Sequence, residues 1–169
     1  MNPILSAGLL IGVLCGIWTF VMGATGWYKD PVMYRMFFAV IAIEIGGLIW
    51  GLRRTAAEGR GYGSQVIAGT MMATVAGVVI ICASLLFTTV VYRDYFAELE
   101  AMQVSLLQNQ GVSEAEIARQ VSESRAANTP MGQAVSGFMG TLITGIVASA
   151  IIAIRVRSRH PIARPASGH

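Results

Sequence analysis

Apolar positions along the chain fall into four long runs, at about residues 4–25, 33–52, 65–92 and 132–154, separated by short polar breaks. Roughly 20 apolar residues suffice for a helix to cross the hydrocarbon core of a bilayer, so each run predicts a transmembrane helix. The breaks carry matching signals. Lys29-Asp30-Pro31 turns the chain into the second run, and Arg53-Arg54 stops it. The third run follows the glycine-rich segment 58–63 and, at 1.5 Å per residue, reaches roughly 42 Å, so it tilts or projects. Thr129-Pro130 supplies an N-cap and a first helical position for the fourth run, which Arg155, Arg157 and Arg159 stop.

Between the third and fourth runs the pattern changes. Tyr92, Phe96, Leu99, Met102 and Leu106 recur at helical spacing among Arg93, Asp94, Glu98 and Glu100, an amphipathic continuation of the third helix beyond the membrane. Gly111 breaks it. Ser113 and Glu116 have capping-box spacing and open a second short helix with Ile117 and Val121 on one side. A helical hairpin over about residues 93–130 follows, its apolar stripe lying on Ile117 and Val121 or on the membrane surface. The expected fold is all-α: a single integral-membrane four-helix bundle over residues 1–169, with an outer helical hairpin and a basic tail at 155–169.

The first run reads as a retained helix rather than a cleaved leader. No Lys or Arg precedes it, it exceeds a usual signal h-region, and bulky Leu14 ahead of Cys15 does not fit a lipoprotein box.

Composition agrees with the pattern. Of 169 residues, 54% are hydrophobic and 12% charged, with a mean hydropathy of +0.62, which excludes an ordinary soluble domain. The net charge of +3 does not point to nucleic acid, because the basic residues are scattered between spans. They report orientation instead. Arg53, Arg54, Arg60, Arg155, Arg157, Arg159 and Arg164 crowd the second-to-third linker and the tail, whereas Lys29, Arg35, Arg93, Arg119 and Arg125 are spread over longer loops. Positive charge is retained on the cytoplasmic side, so both termini are expected inside and the acidic hairpin outside an inner (plasma) membrane. Trp27, Tyr28, Tyr34, Tyr92 and Tyr95 then form the outer aromatic belt, with Trp50 and Tyr62 at the inner one. Cys15 and Cys82 read as two buried free thiols.

Every span carries a stripe of small residues: Gly8, Gly12 and Gly16; Gly47 and Gly51; Gly69, Ala73 and Gly77; Ser136, Gly140 and Thr144. Such stripes let helix backbones approach closely, either within one bundle or between copies of it in a homo-oligomer.

Four spans, a short glycine-containing linker after the second, and the segment Gly111-Val-Ser-Glu-Ala-Glu-Ile-Ala118 ahead of Asn128-Thr-Pro130 resemble the bacterial membrane family catalogued as domain of unknown function 4199. The resemblance covers most of the chain, and the outer hairpin is its most specific part. It implies a four-span inner-membrane protein without an assigned activity, and it carries over no catalytic or binding residue.

Glu44 is the one charged side chain deep inside a predicted span. A charge there costs roughly 2.5–3.5 kcal/mol on insertion scales, so it is expected to face inward. Gly47 and Gly51, at i+3 and i+7, share its face, whereas Arg35 and Arg53 lie half a turn round the helix. Partners must come from other spans: Cys15 and Thr19, Thr74 and Cys82, or Thr141 and Thr144, with Ser149 nearer the inner side. Desolvation favours the neutral acid, which donates one hydrogen bond. The same carboxyl suits either a clamp between helices or a proton or cation relay.

The segment Gly59-Arg60-Gly61-Tyr62-Gly63-Ser64 lacks the ending of a P-loop and the spacing of a dinucleotide fingerprint, so it reads as a flexible turn. With Arg53, Arg54 and Arg60 beside a helix N-terminus, it is also a candidate contact for anionic lipid headgroups. His160 and His169 have no metal-ligating neighbours in sequence, and no nucleophilic triad, metal set or cofactor motif emerges. The leading expectation is a non-enzymatic structural or interaction component of the cell envelope, with lipid and an envelope protein at the hairpin as partners. The alternative is a small proton- or cation-coupled transporter or channel using Glu44.

Overall fold

The computed structural model describes residues 2–157, which leaves the expected Arg159, Arg164, His160 and His169 of the tail outside the described residues. It is all-helical. Helix α1 (Pro3–Thr25), α2 (Ala39–Ala56), α3 (Tyr62–Leu86) and α6 (Pro130–Arg157) form the bundle, and α4 (Tyr95–Asn109) and α5 (Glu114–Ala127) form the hairpin. Four helical segments among the described residues are long and apolar enough to cross a membrane. The protein is a helical membrane bundle.

Local sequence explains the ends. Asn2 caps α1 by accepting from the Ile4 N–H, with Pro3 at the first position, and Gly26 closes the helix at φ 69°, a left-handed conformation that costs glycine nothing. Thr129 Oγ1 accepts from the Gly132 N–H at 3.0 Å, so it caps α6 as its sequence predicts. Ser113 Oγ accepts from the Glu116 N–H, but the Glu116 carboxylate turns to Arg119 and Gln120. Half of the capping box forms.

Three boundaries differ from the hydropathy pattern, the first being the start of α3 at Tyr62, which makes the last three residues of the expected flexible turn helical. The second run begins as a 3-10 segment, Met33–Phe38, and becomes α-helical at Ala39. Asp30 sets this tighter start, its Oδ1 accepting from the Val32 and Met33 N–H groups at 2.7 and 3.1 Å. The third run does not continue into the hairpin. Phe87–Val91 is a π-turn closed by the Tyr92 N–H on the Phe87 carbonyl at 2.8 Å, and α4 starts afresh at Tyr95. The wider turn points Phe87 and Thr88 inward, where both are buried.

Packing inverts the soluble arrangement. Large apolar residues such as Leu9, Val13, Ile17, Ile67, Val78, Ile143 and Ile151 face outward, whereas small ones line the helix contacts. Lipid is as apolar as leucine, so close approach rather than burial holds the helices together. Helix α3 is the hub, sharing its most extensive interface with α6 and the next with α1, whereas α1 and α6 barely touch. Gly8, Gly12 and Gly16 seat α1 on Val75, Val79 and Ala83 of α3, and Gly77 and Gly145 seat α6 on the same helix through Phe138 and Ala73.

The expected fourth stripe, Ser136–Gly140–Thr144, does not line a helix contact. Ser136 and Gly140 are exposed, Thr144 is half-buried, and a Cβ at Gly140 would meet nothing within 4 Å. The face of α6 that packs runs instead through Ala134, Thr141, Gly145, Ala148 and Ser149. Cys82 is likewise exposed on the outer face of α3, while Cys15 is buried.

An added Cβ at Gly8 would fall 2.7 Å from both the Met72 carbonyl oxygen and Val75 Cβ, whereas at Gly46 it meets open space. Gly8→Ala is expected to destabilise the bundle by about 1–3 kcal/mol, and Gly46→Ala to stabilise it by about 0.5–1 kcal/mol. Unfolding of the detergent-solubilised protein measures both, and equal effects would contradict the packing.

Candidate functional site

Glu44 sits in the second turn of α2 and is 4% exposed, facing into the bundle as expected. Its Oε1 lies 3.3 Å from where a Gly145 Cβ would stand, so the absence of a side chain on α6 makes room for the carboxyl. Ala73 of α3 closes against the same glycine. From α1, buried Cys15 reaches the adjoining turn, its Sγ 3.9 Å from the Val40 carbonyl oxygen. The carboxyl therefore stands where all four spanning helices come close.

No hydrogen bond to a threonine of another span holds the carboxyl among the described residues. Thr141 is buried one turn before Gly145 and Thr144 is half-buried beside it, yet among the described residues no hydrogen bond joins either to Glu44. Thr19 and Thr74 return their hydroxyls to their own helices, on Cys15 and Thr70 carbonyls. Glu44 Oε1 has no partner among the described residues. An orphaned polar atom in a bundle interior costs of order 1–3 kcal/mol.

A second polar group lies toward the α2–α3 linker. Thr55 donates to Gln65 Oε1 at 2.7 Å, and Ser149 stands against Gly69, one turn from Gln65. All three are at most 1% exposed, and Gln65 Nε2 and Ser149 Oγ lack partners among the described residues. Gln65 and Thr55 were legible only as polar residues at span ends; their pairing follows from the short linker that folds α3 back against α2.

The basic residues of the linker do not converge on one point. Arg54 lies over the Trp50 ring at 4.2 Å, Arg60 pairs with Glu58 at 2.9 Å, and Arg53 is exposed in the last turn of α2. Gly61 precedes α3 with no side-chain cap.

At the opposite end the expected aromatic belt turns partly inward. Tyr28, Phe87 and Tyr95 form a buried cluster, with Phe20, Tyr34, Tyr92, Phe96 and Leu99 packed against it. Gly23 admits the Phe87 and Tyr92 rings, since a Cβ there would collide with both. The proximal half of the hairpin's apolar stripe thus packs on the bundle, while Ile117 alone of α5 is buried.

Polar bonds tie the hairpin to this plug. Tyr28 donates to Glu98 Oε2, and Lys29 Nζ bonds Glu98 Oε1 at 2.7 Å. Tyr95 accepts from Gln133 Nε2 at 3.4 Å, joining α4 to α6. Burial first, then the Glu98 hydrogen bond, push the Tyr28 phenol well above its ordinary value, and burial pushes Tyr95 up to about 12. The Lys29 ammonium, followed by the Tyr28 hydroxyl, holds the Glu98 carboxyl below its usual range. Further out, Arg125 bonds both oxygens of Glu100 at 2.6 Å and Gln103 donates to Ser124 at 3.1 Å, stapling α4 to α5.

Fold and site together define a four-span helical membrane protein with a carboxyl buried at mid-bundle and a hairpin anchored on one end. The chain matches the family described as "Protein of unknown function (DUF4199)" over residues 6–158, and it belongs to that family. Among curated proteins and among solved structures, nothing matches it.

Because the folded-state value of Glu98 is lowered, its anchoring contribution is full above the ordinary carboxylate range and is lost as pH falls through it. Amide exchange in α4 is therefore expected to quicken below about pH 4. Glu98→Gln should abolish that acid step, and an unchanged step would assign the anchoring elsewhere.

Proposed function

We propose that the protein is a non-enzymatic component of the cell envelope, embedded in the inner membrane with both termini cytoplasmic, whose hairpin is a contact surface for an envelope protein. The observation that carries this reading is the anchoring of the hairpin. Its base is fixed by the Tyr28–Phe87–Tyr95 cluster and by Glu98, while α5 presents Glu114, Ala118 and Glu123 to solvent. A rigid element that projects beyond the bilayer loses little freedom when it docks, which favours binding. The density of arginine at the linker end supports the orientation.

Lipid is the second partner of this reading, with Arg53, Arg54 and Arg60 lying at the headgroup level. Self-association through the Ser136–Gly140–Thr144 stripe is its third, because the α1, α2 and α3 stripes are occupied within the bundle. The alternative, a proton- or cation-coupled carrier, is favoured by one specific observation: the unpartnered oxygen of Glu44.

Single cysteines at Ala118 and Ala57, both exposed, test the orientation in a Cys15/Cys82-free background. An impermeant maleimide should label position 118 in intact cells and position 57 only after permeabilisation; the reverse contradicts it. A photo-crosslinking side chain at Ala118 should give a discrete protein adduct that the same group at lipid-facing Ile143 does not. Absence of any adduct from exposed hairpin positions would contradict the contact-surface reading.

A further inference from the structure

Among the described residues, three fully buried side-chain atoms have no hydrogen-bond partner: Glu44 Oε1, Ser149 Oγ and Gln65 Nε2. They are not scattered. Glu44 meets Gly145 of α6; Ser149 lies one turn further along that helix and meets Gly69 of α3; Gln65 lies one turn back along α3 and bonds Thr55 of α2. Glu44 and Thr55 themselves are eleven residues apart, close to three full turns, so they share one face of α2. The four polar side chains therefore lie in sequence along the α2–α3–α6 seam, beside the fully buried Leu48 and Leu52 that stand between Glu44 and Thr55 on α2. This file runs about 16 Å, near half a hydrocarbon core, from mid-bundle to the linker end.

Apart from the Thr55–Gln65 bond, no direct bond among the described residues links the file, since its other members are spaced by roughly one helical turn. Buried polar atoms without protein partners are the usual seats of internal water, which makes about three bonds at each site. Toward the hairpin the seam continues by one turn of α6 to buried Thr141 and is then closed by apolar contacts, Gly77 against Phe138 among them, while buried Thr88 returns its hydroxyl to the Ser84 carbonyl. The polar file is open in composition at one end only.

We propose that this seam takes up water from the linker end and is a one-sided proton route to Glu44. The chemistry is proton transfer alone. A hydronium-bearing water at Ser149 gives its proton to the Glu44 carboxylate, its O–H bond breaking as the carboxyl O–H forms, and the proton is replenished along the file past Gln65 and Thr55. Among the described residues Glu44 is the one buried charged side chain. Cys15 faces Glu44 from α1, Ala73 from α3 and Gly145 from α6, and Arg53 and Arg54 stand exposed in the last turn of α2. The route is independent of the hairpin reading, because a hydrated seam leaves the contact surface unchanged.

Infrared spectroscopy of the full-length protein in lipid vesicles tests it, at a pH where a protonated carboxyl band is present and is assigned to Glu44 by its loss in Glu44→Gln. On transfer to heavy water the band should shift within minutes in the wild type. Ser149→Ala and Gln65→Met should each slow that exchange by about tenfold or more, and Thr88→Val should not. A wild-type band that persists for hours overturns the proposal, as does exchange indifferent to both seam variants or slowed equally by Thr88→Val. Should both seam variants fail to fold, the wild-type time course decides alone, minutes supporting the route and hours refuting it.

Discussion

Helices surrounded by lipid gain almost nothing by burying leucine against leucine, so the architecture depends on how closely their backbones can approach. In this bundle that approach is concentrated on α3. Gly8, Gly12 and Gly16 bring α1 onto one side of it, and Gly69, Gly77 and Gly145 bring α6 onto another. Helix α2 joins them mainly through α1 and α6, its Gly47 and Gly51 receiving Ile11 and Ala7 of α1, with Met72 of α3 also against Gly51. Leu48, Leu52 and Met72, all fully buried, fill the centre that these contacts define. The large outward residues serve the membrane and not the fold.

The same closeness creates the polar interior. A carboxyl can lie at the height of Gly145 only because α6 offers no side chain there, and Ser149 can stand on Gly69 for the same reason. Such placements leave acceptors and donors without protein partners, a cost of order 1–3 kcal/mol each unless water restores the bonds. The hairpin end follows a different logic. There, edge-to-face and tilted aromatic pairs, such as Phe20–Phe87 at 5.5 Å and Phe87–Tyr95 at 5.3 Å, pack a plug on which α4 rests. Each such pair contributes about 0.5–1.5 kcal/mol beyond its buried area. The exposed ion pairs around it add little energy and mainly fix direction.

Much of this was readable from residues alone, and the rest was not for identifiable reasons. The four spans, the hairpin and the caps at Ser113 and Thr129 depend on local pattern, which sequence carries directly. Inward placement of Glu44 followed from the cost of a charge in lipid. Its surroundings did not, because they depend on which turn of α6 meets which turn of α2, and periodicity within one helix does not encode interhelical register. The same gap misassigned the α6 stripe: Ser136–Gly140–Thr144 and Gly137–Thr141–Gly145 are both small-residue repeats, one position apart, and only the partner helix selects between them. The π-turn at Phe87 escaped because hydropathy continues unbroken through it. Tyr28 and Tyr95 were read as belt residues because an interfacial aromatic and a buried one look alike until α4 folds back.

The central claim is that α3 is the packing hub, in the register set by glycine. Cysteines placed at Gly16 and Ala83, in a background lacking Cys15 and Cys82, test it directly, since a Cβ at position 16 lies 3.1 Å from that of Ala83. Mild oxidation in native membranes should form an intramolecular disulfide between positions 16 and 83, and none between positions 16 and 140. Failure of the first pair to cross-link, or cross-linking of the second within one chain, would contradict the arrangement on which the buried carboxyl and its seam depend.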